Sequence, residues 1–231
     1  VAETAMKRAI MPTDDSLETV WNKVTFDDAA WTIARAGAGY ENSSGYEPFL
    51  ASDFDFGDQV SGGAVESIYM RVVFQISDPA ALDLVELGMR YDDGFIAYLN
   101  GQEIARANAP GSVGRPVAWN ASASGSHSDA AAIGFEIFDV TAAKEFLKEG
   151  ENVLAIHGLN VSASSSDFLI WPILKGVMVE SEEPPTTEAG IQVYESPISL
   201  TESATVKARI QLAGVWSPIL SADFVVDAVQ A

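Results

Sequence analysis

The dipeptide Asn100-Gly101 constrains this chain more than any other feature. It interrupts the alternating stretch YDDGFIAYLNGQEIAR, which runs from Tyr91 to Arg106. Asn and Gly both accept the positive φ that a two-residue type I′ turn demands, so the stretch reads as a β-hairpin. Regular pairing across that turn sets Leu99 opposite Gln102, Ala97 opposite Ile104 and Phe95 opposite Arg106. These six share one face of the ribbon, and Ile96, Tyr98, Glu103 and Ala105 take the other. An apolar face with a polar rim, backed by a mixed face, suits an inner strand pair of a β-sandwich. Just upstream, Asp92-Asp93-Gly94 breaks the run and aims two carboxylates at the end of the sheet.

The remaining punctuation is that of an all-β protein. Ser67–Ser77, Leu82–Arg90, Phe135–Val140, Asn152–Leu159 and Asp167–Val179 read as strands, rich in β-branched and aromatic residues. Pro172 marks a bulge or an edge in the last of them. Thr141–Gly150 reads as one or two helical turns stopped by Gly150. Two long polar segments, Gly37–Gly63 and Ala107–Ala132, have the length at which loops tend to be functional or mobile. Ser181–Thr187 (SEEPPTT) is acidic, holds a double Pro and has no apolar residue, so it is a linker. Three strand-like runs follow at Ile191–Tyr194, Ala204–Leu212 and Phe224–Val229. The expected organisation is a β-sandwich over 1–180, a linker over 181–190 and a small β module over 191–231.

Charge removes whole classes of partner. The 231 residues carry 13 Lys plus Arg against 33 Asp plus Glu, a formal charge of −20. Nucleic acid binds where cationic side chains release its counterions, so it is not a partner here. Anionic membrane surfaces are disfavoured for the same reason, and no apolar run approaches the ~20 residues of a membrane-spanning helix. There is no cysteine, hence no disulfide, thiolate metal site or Cys nucleophile. Such an acidic surface suits a medium where salt screens self-repulsion, and equally an ordinary acidic secreted protein. The chain opens on Val1 without a basic segment and apolar core, so no signal peptide is read. A mature form, or an excised piece of a larger secreted or cell-surface protein, is the expectation.

An ordered series of motifs then carries a resemblance. Phe26-Asp27-Asp28-Ala29-Ala30-Trp31 opens it, followed by Gly45-Tyr46-Glu47, Asp92-Asp93-Gly94, Leu99-Asn100-Gly101 with Ile104-Ala105-Arg106 and Asn108. The late strand ENVLAIHGLN and the closing SSSDFLIWPIL complete it. Over about Val20 to Val179 the chain resembles the galactose-binding-like jelly-roll modules of secreted and cell-surface bacterial proteins. Its tail, PISLTESATVKARIQLAGVWSP with ADFVV, is similar to the small β-sandwich repeats of chitobiase-like proteins, with their usual first strands missing. The resemblance implies a jelly-roll β-sandwich with a small C-terminal β appendage. It also implies non-catalytic carbohydrate binding, or a domain-packing role, within a larger protein, and in many such modules a structural Ca²⁺.

Each candidate side chain has two readings. Asp92 and Asp93 suit Ca²⁺ or sugar hydroxyls; as a turn-forming pair they would cap backbone amides instead. Arg106 and Asn108 can hold vicinal hydroxyls or a carboxylate, while an Arg among so many acids can also simply be paired. His157 is a ligand or a hydrogen-bonded packing residue. His127 is the only other histidine, which excludes a multi-His zinc site. Asp167 could join His157 in a dyad, but no serine stands in a nucleophile motif. Tyr40, Tyr46, Phe49 and Trp119 can stack on pyranose rings or plug the ends of the core; Trp21, Trp31 and Trp171 read as core. The leading expectation is a polysaccharide- or oligosaccharide-binding module contacting sugar through Tyr40, Tyr46, Trp119, Arg106, Asn108 and His157, with Ca²⁺ at Asp92 and Asp93. A neutral or weakly charged glycan avoids the repulsion of −20. A structural or adhesion spacer with a protein partner is the alternative, and a glycoside-active enzyme comes last because no catalytic constellation emerges.

Overall fold

The computed structural model describes residues 1–55, 67–178, 200, 203–212 and 215–224. It divides into two units, Val1–Met178 and Val179–Ala231. In chain order the strands of the first unit are β1 (Lys7–Ile10), β2 (Thr32–Ala34), β3 (Gly37–Glu41), β4 (Leu50–Asp55), β5 (Ser67–Ile76), β6 (Leu84–Asp92), β7 (Gly94–Leu99), β8 (Gln102–Ala107), β9 (Glu136–Asp139), β10 (Gly150–Leu159) and β11 (Asp167–Val177). A single helical turn, α1 (Asp129–Ala132), precedes β9. Where one or two helical turns were expected there is a 3-10 segment, Thr141–Phe146; Gly150, at φ +87°, opens β10 instead of closing that helix.

Two sheets face each other, as expected of an all-β sandwich. One has six strands in the order β2-β1-β5-β10-β7-β8 and the other five in the order β4-β3-β11-β6-β9. Alternation sets which side chains meet between them. From the six-stranded sheet come Met70, Val72, Leu154, Ile156, Phe95 and Leu99; from the five-stranded sheet Val85, Leu87, Met89, Phe168, Ile170 and Leu174. The layers approach so closely at Gly158 that a Cβ there would sit 2.5 Å from Ile170. Pro172 lies opposite Met89 of β6, beyond the four residues of β11 that pair with β3, so its missing N–H falls on a locally open edge.

The hairpin forms with Asn100 at φ 52° and Gly101 at φ 88°. Its register holds for Leu99–Gln102 and Tyr98–Glu103 and then departs from the regular expectation. A bulge shifts the pairing, so Ala97 meets Ala105, Ile96 meets Arg106 and Phe95 meets Ala107. The extra residue in β8 puts Glu103 and Arg106 on one face, where regular alternation would separate them.

The outward side of the six-stranded sheet is not left to solvent. The segment 11–31 folds over it, stacking Trp21 on Tyr69 with ring centroids 4.0 Å apart. Arg71, 2% exposed, fastens this arm. Its guanidinium pairs with Asp28 at 2.7 Å and donates to the carbonyls of Trp21, Lys23 and Phe26. Asp27 caps Ala29, and Phe26 packs on Trp31, so the FDDAAW motif is a fastening of the arm.

In the second unit, β12 (Ala204–Ala208) pairs with β15 (Leu220–Phe224), and β13 (Gln211–Leu212) with β14 (Val215–Trp216). The linker 181–190 and the strand expected at Ile191–Tyr194 lie outside the described residues.

Candidate functional site

The chain passes from the five-stranded to the six-stranded sheet through Asp93, between the end of β6 and the start of β7. Both Asp93 oxygens are taken. They accept the backbone N–H of His127 at 3.0 Å and of Val161 at 2.8 Å. Asp93 also donates its own N–H to Leu159 and accepts Asn108 Nδ2 on its carbonyl at 2.9 Å. This residue knots three loops together, and it stands outside the group of acids, Asp92, Asp129 and Asp167, that could hold an ion.

Asp92 differs. It points to the outward side of the five-stranded sheet, 3% exposed, and its Oδ2 accepts the Tyr46 hydroxyl at 2.7 Å. Because β6 and β11 run antiparallel, the end of one lies beside the start of the other, which brings Asp167 close. Asp129, at the head of α1, completes a group whose carboxylate oxygens lie within 4.8 Å of one another. Among the described residues, none of the ion pairs involves these three acids. Burial raises the Asp92 carboxyl to about 8, with the neighbouring Asp93 and Asp167 charges adding and the Tyr46 hydroxyl opposing. Asp167 is raised too, first by burial and then by Asp129. The sequence named Asp167 only as a partner for His157, and did not name Asp129. The SSSD run before a strand, set against DDG at the end of its neighbour, was the available signal.

The aromatic platform expected from the loops does not assemble from Tyr40 and Tyr46. Both are buried, at 6% and 0% exposure, because Gly37–Glu41 is itself a strand paired to β11 and the following turn folds back on Leu169. Their hydroxyls serve the loop end: Tyr46 holds Asp92, while Tyr40 donates to the Ser165 carbonyl and accepts from Asn160. Phe49 lies edge-on to Trp171 and under the Arg90 guanidinium, packed on the outward side of the five-stranded sheet. Trp119 is half-buried against the Trp21–Tyr69 cluster, with its N–H on Glu18 at 2.7 Å and its carbonyl bonded by Ser67.

Arg106 takes the paired reading. The bulge brings it onto Glu103 at 2.5 Å, and its other nitrogens donate to the carbonyls of Pro110 and Ser112. Asn108 sits at φ 48° and braces Asp93. His157 is 2% exposed on the outward side of the six-stranded sheet, between Tyr69 and Ile96. It is not joined to Asp167, whose hydroxyl donors are Ser165 and Ser166. His127 stacks on Tyr91 at 4.2 Å and turns Nδ1 to the Tyr91 carbonyl. The arrangement can therefore bind through oxygen donors at the Asp92 end, and its histidines are engaged in packing.

No protein-family model matches the chain, and no curated protein matches it. Solved structures do align with it. A calcium binding mutant of Bacteroides uniformis beta-glucuronidase 2 shares 12% identity at a TM-score of 0.41, over 72% of this chain and 17% of that one. A beta-glucuronidase from an uncultured Clostridium sp. shares 13% at 0.38, over 68% and 21%, and the beta-D-mannosidase of Dictyoglomus thermophilum 15% at 0.35, over 68% and 15%. The chain thus spans about a fifth or less of the length of these glycosidases. At such scores the likeness assigns no residue and no activity here.

Proposed function

We propose that the chain is a non-catalytic carbohydrate-binding module of a larger secreted or cell-surface protein, working from the Asp92 end of its sandwich. The observation that carries this reading is the convergence there of three loops bearing exposed hydroxyls and carboxylates, such as Ser43, Ser128, Asp129, Ser164 and Ser166. Loops held by a rigid sandwich are where such contacts are made. Hydrogen bonds and an ion grip the ligand, and buried tyrosines brace the site from behind.

The donor set fits Ca²⁺. Three hard carboxylate oxygens come from separate elements, and burial with like charge disfavours the bare anions. Asp92, Asp129 and Asp167 would hold the ion, which would supply positive charge to sugar hydroxyls at a surface otherwise acidic. Tyr46 orients Asp92, and Ser165 and Ser166 orient Asp167.

Calorimetry against a polysaccharide panel tests the proposal. An oligosaccharide should bind in the micromolar to millimolar range, about −8 to −4 kcal/mol, and monosaccharides weakly. EDTA and Asp129→Asn should each remove the signal while the chain stays folded, with only the stabilisation that calcium adds being lost. Burial of Tyr40 and Tyr46 favours the second reading, a structural or adhesion spacer. That reading takes over if no glycan binds the calcium-loaded chain.

A further inference from the structure

A second seam lies away from the carboxylates. Two segments, 11–31 and 108–123, cover the outward side of the six-stranded sheet, and His157 sits beneath them. Its ring meets Tyr69 edge-on at 4.9 Å and Trp21 at 6.3 Å, and interacts with the Trp119 backbone. That backbone is a hub: Ser67 of β5 donates to the Trp119 carbonyl, and its N–H goes to Glu18 of the arm. His157 Nε2 is buried and has no hydrogen-bond partner.

We propose that His157 is an acid-operated latch whose protonation releases the Trp119 segment and the Trp21 arm from the six-stranded sheet. A proton on Nε2 would add a donor without an acceptor, and a full charge, inside a shell of rings. The titratable and charged groups facing this seam do not answer that charge. Glu18 of the arm is bound to Trp119, Arg71 of β5 is cationic and paired with Asp28, and Tyr69 and Tyr98 are neutral. Glu103 and Arg106 of β8, which face Tyr98, neutralise each other. His157 lies outside the main core between the sheets, so the covering segments can lift while that core persists.

Burial lowers the ring to about 3 from its ordinary 6.5, and the hydrogen bond with the Trp119 backbone opposes that shift only in part. The closed state therefore binds fewer protons than the open one. It is fully favoured above the ordinary value and loses stability as pH falls from there toward 3. Below the ordinary value the closed-to-open ratio approaches a tenfold fall per pH unit, or roughly 50-fold between pH 6.5 and 4.5.

Hydrogen exchange on the full chain, corrected for intrinsic rates, reads this directly. Peptides from 11–31 and 108–123 should gain opening by roughly 50-fold between pH 6.5 and 4.5, while peptides from β6 and β11 stay protected. In His157→Gln the pH-dependent step should vanish. The latch is overturned by unchanged protection in the two segments, by the same rise in His157→Gln, or by a rise shared with β6 and β11. Should that variant not fold, imidazole NMR of the wild type decides, with His127→Gln for assignment. A His157 resonance titrating near 6.5 in the closed protein overturns the proposal, and one that stays neutral to about pH 4 upholds it.

Discussion

Arg71 and Asp92 are both almost fully buried on the outward side of a sheet, at 2% and 3% exposure, yet the chain treats them oppositely. Around Arg71 an arm folds in with a carboxylate, three carbonyls and an aromatic face, so the charge is answered within the molecule. Around Asp92 the fold gathers one hydroxyl donor and more carboxylates. Burying an ion is costly unless it is paired and hydrogen-bonded. The six-stranded side therefore closes on itself, whereas the Asp92 end keeps a group of acids that could hold an ion. That difference separates a region that holds the fold from the region to which the proposed function is assigned.

The largest effect is expected at Arg71. Arg71→Met leaves three carbonyls without their donor and Asp28 with Arg8 as its remaining partner, and should cost about 3–5 kcal/mol in urea unfolding. A loss under about 1 kcal/mol would mean that aromatic packing alone holds the arm.

A smaller effect is expected at Asn100. Its Nδ2 donates to the Phe146 carbonyl and Asn152 Oδ1, and its Oδ1 accepts the Val153 N–H. Asn100→Asp keeps the turn conformation and removes both donors, so about 1–3 kcal/mol should be lost. At the other end the sign should invert. Asp92→Asn keeps an acceptor for Tyr46 and removes a carboxyl whose ionisation burial opposes, so in EDTA above pH 8 the melting temperature should hold or rise; a clear fall would mean that the carboxylate is already matched. Salt should give the smallest effect, a modest rise in melting temperature up to ~0.5 M NaCl as the −20 is screened.

What the sequence disclosed follows from how local each signal is. Asn100-Gly101 needs only its own φ values, and the turn is where the dipeptide sets it. The bulge beyond Ala97 leaves no mark on the alternation, so the face of Arg106 was not legible. Tyr40 and Tyr46 read as loop aromatics because Gly37–Glu41 becomes a strand only through pairing with a partner far along the chain. Asp92 was legible as an exceptional acid at a strand end. Its companions were not, because antiparallel packing of β6 and β11 and the turn at α1 assemble them.

In the proposed function a cation completes the Asp92 end. Calcium titrated by calorimetry into the EDTA-stripped full chain, with melting followed in parallel, tests it most directly. One saturable site is predicted, with stabilisation of about 2.7 kcal/mol at a hundredfold excess over Kd, and both signals lost in Asp167→Asn. No binding heat at millimolar calcium, or an undiminished signal in Asp167→Asn, would contradict it.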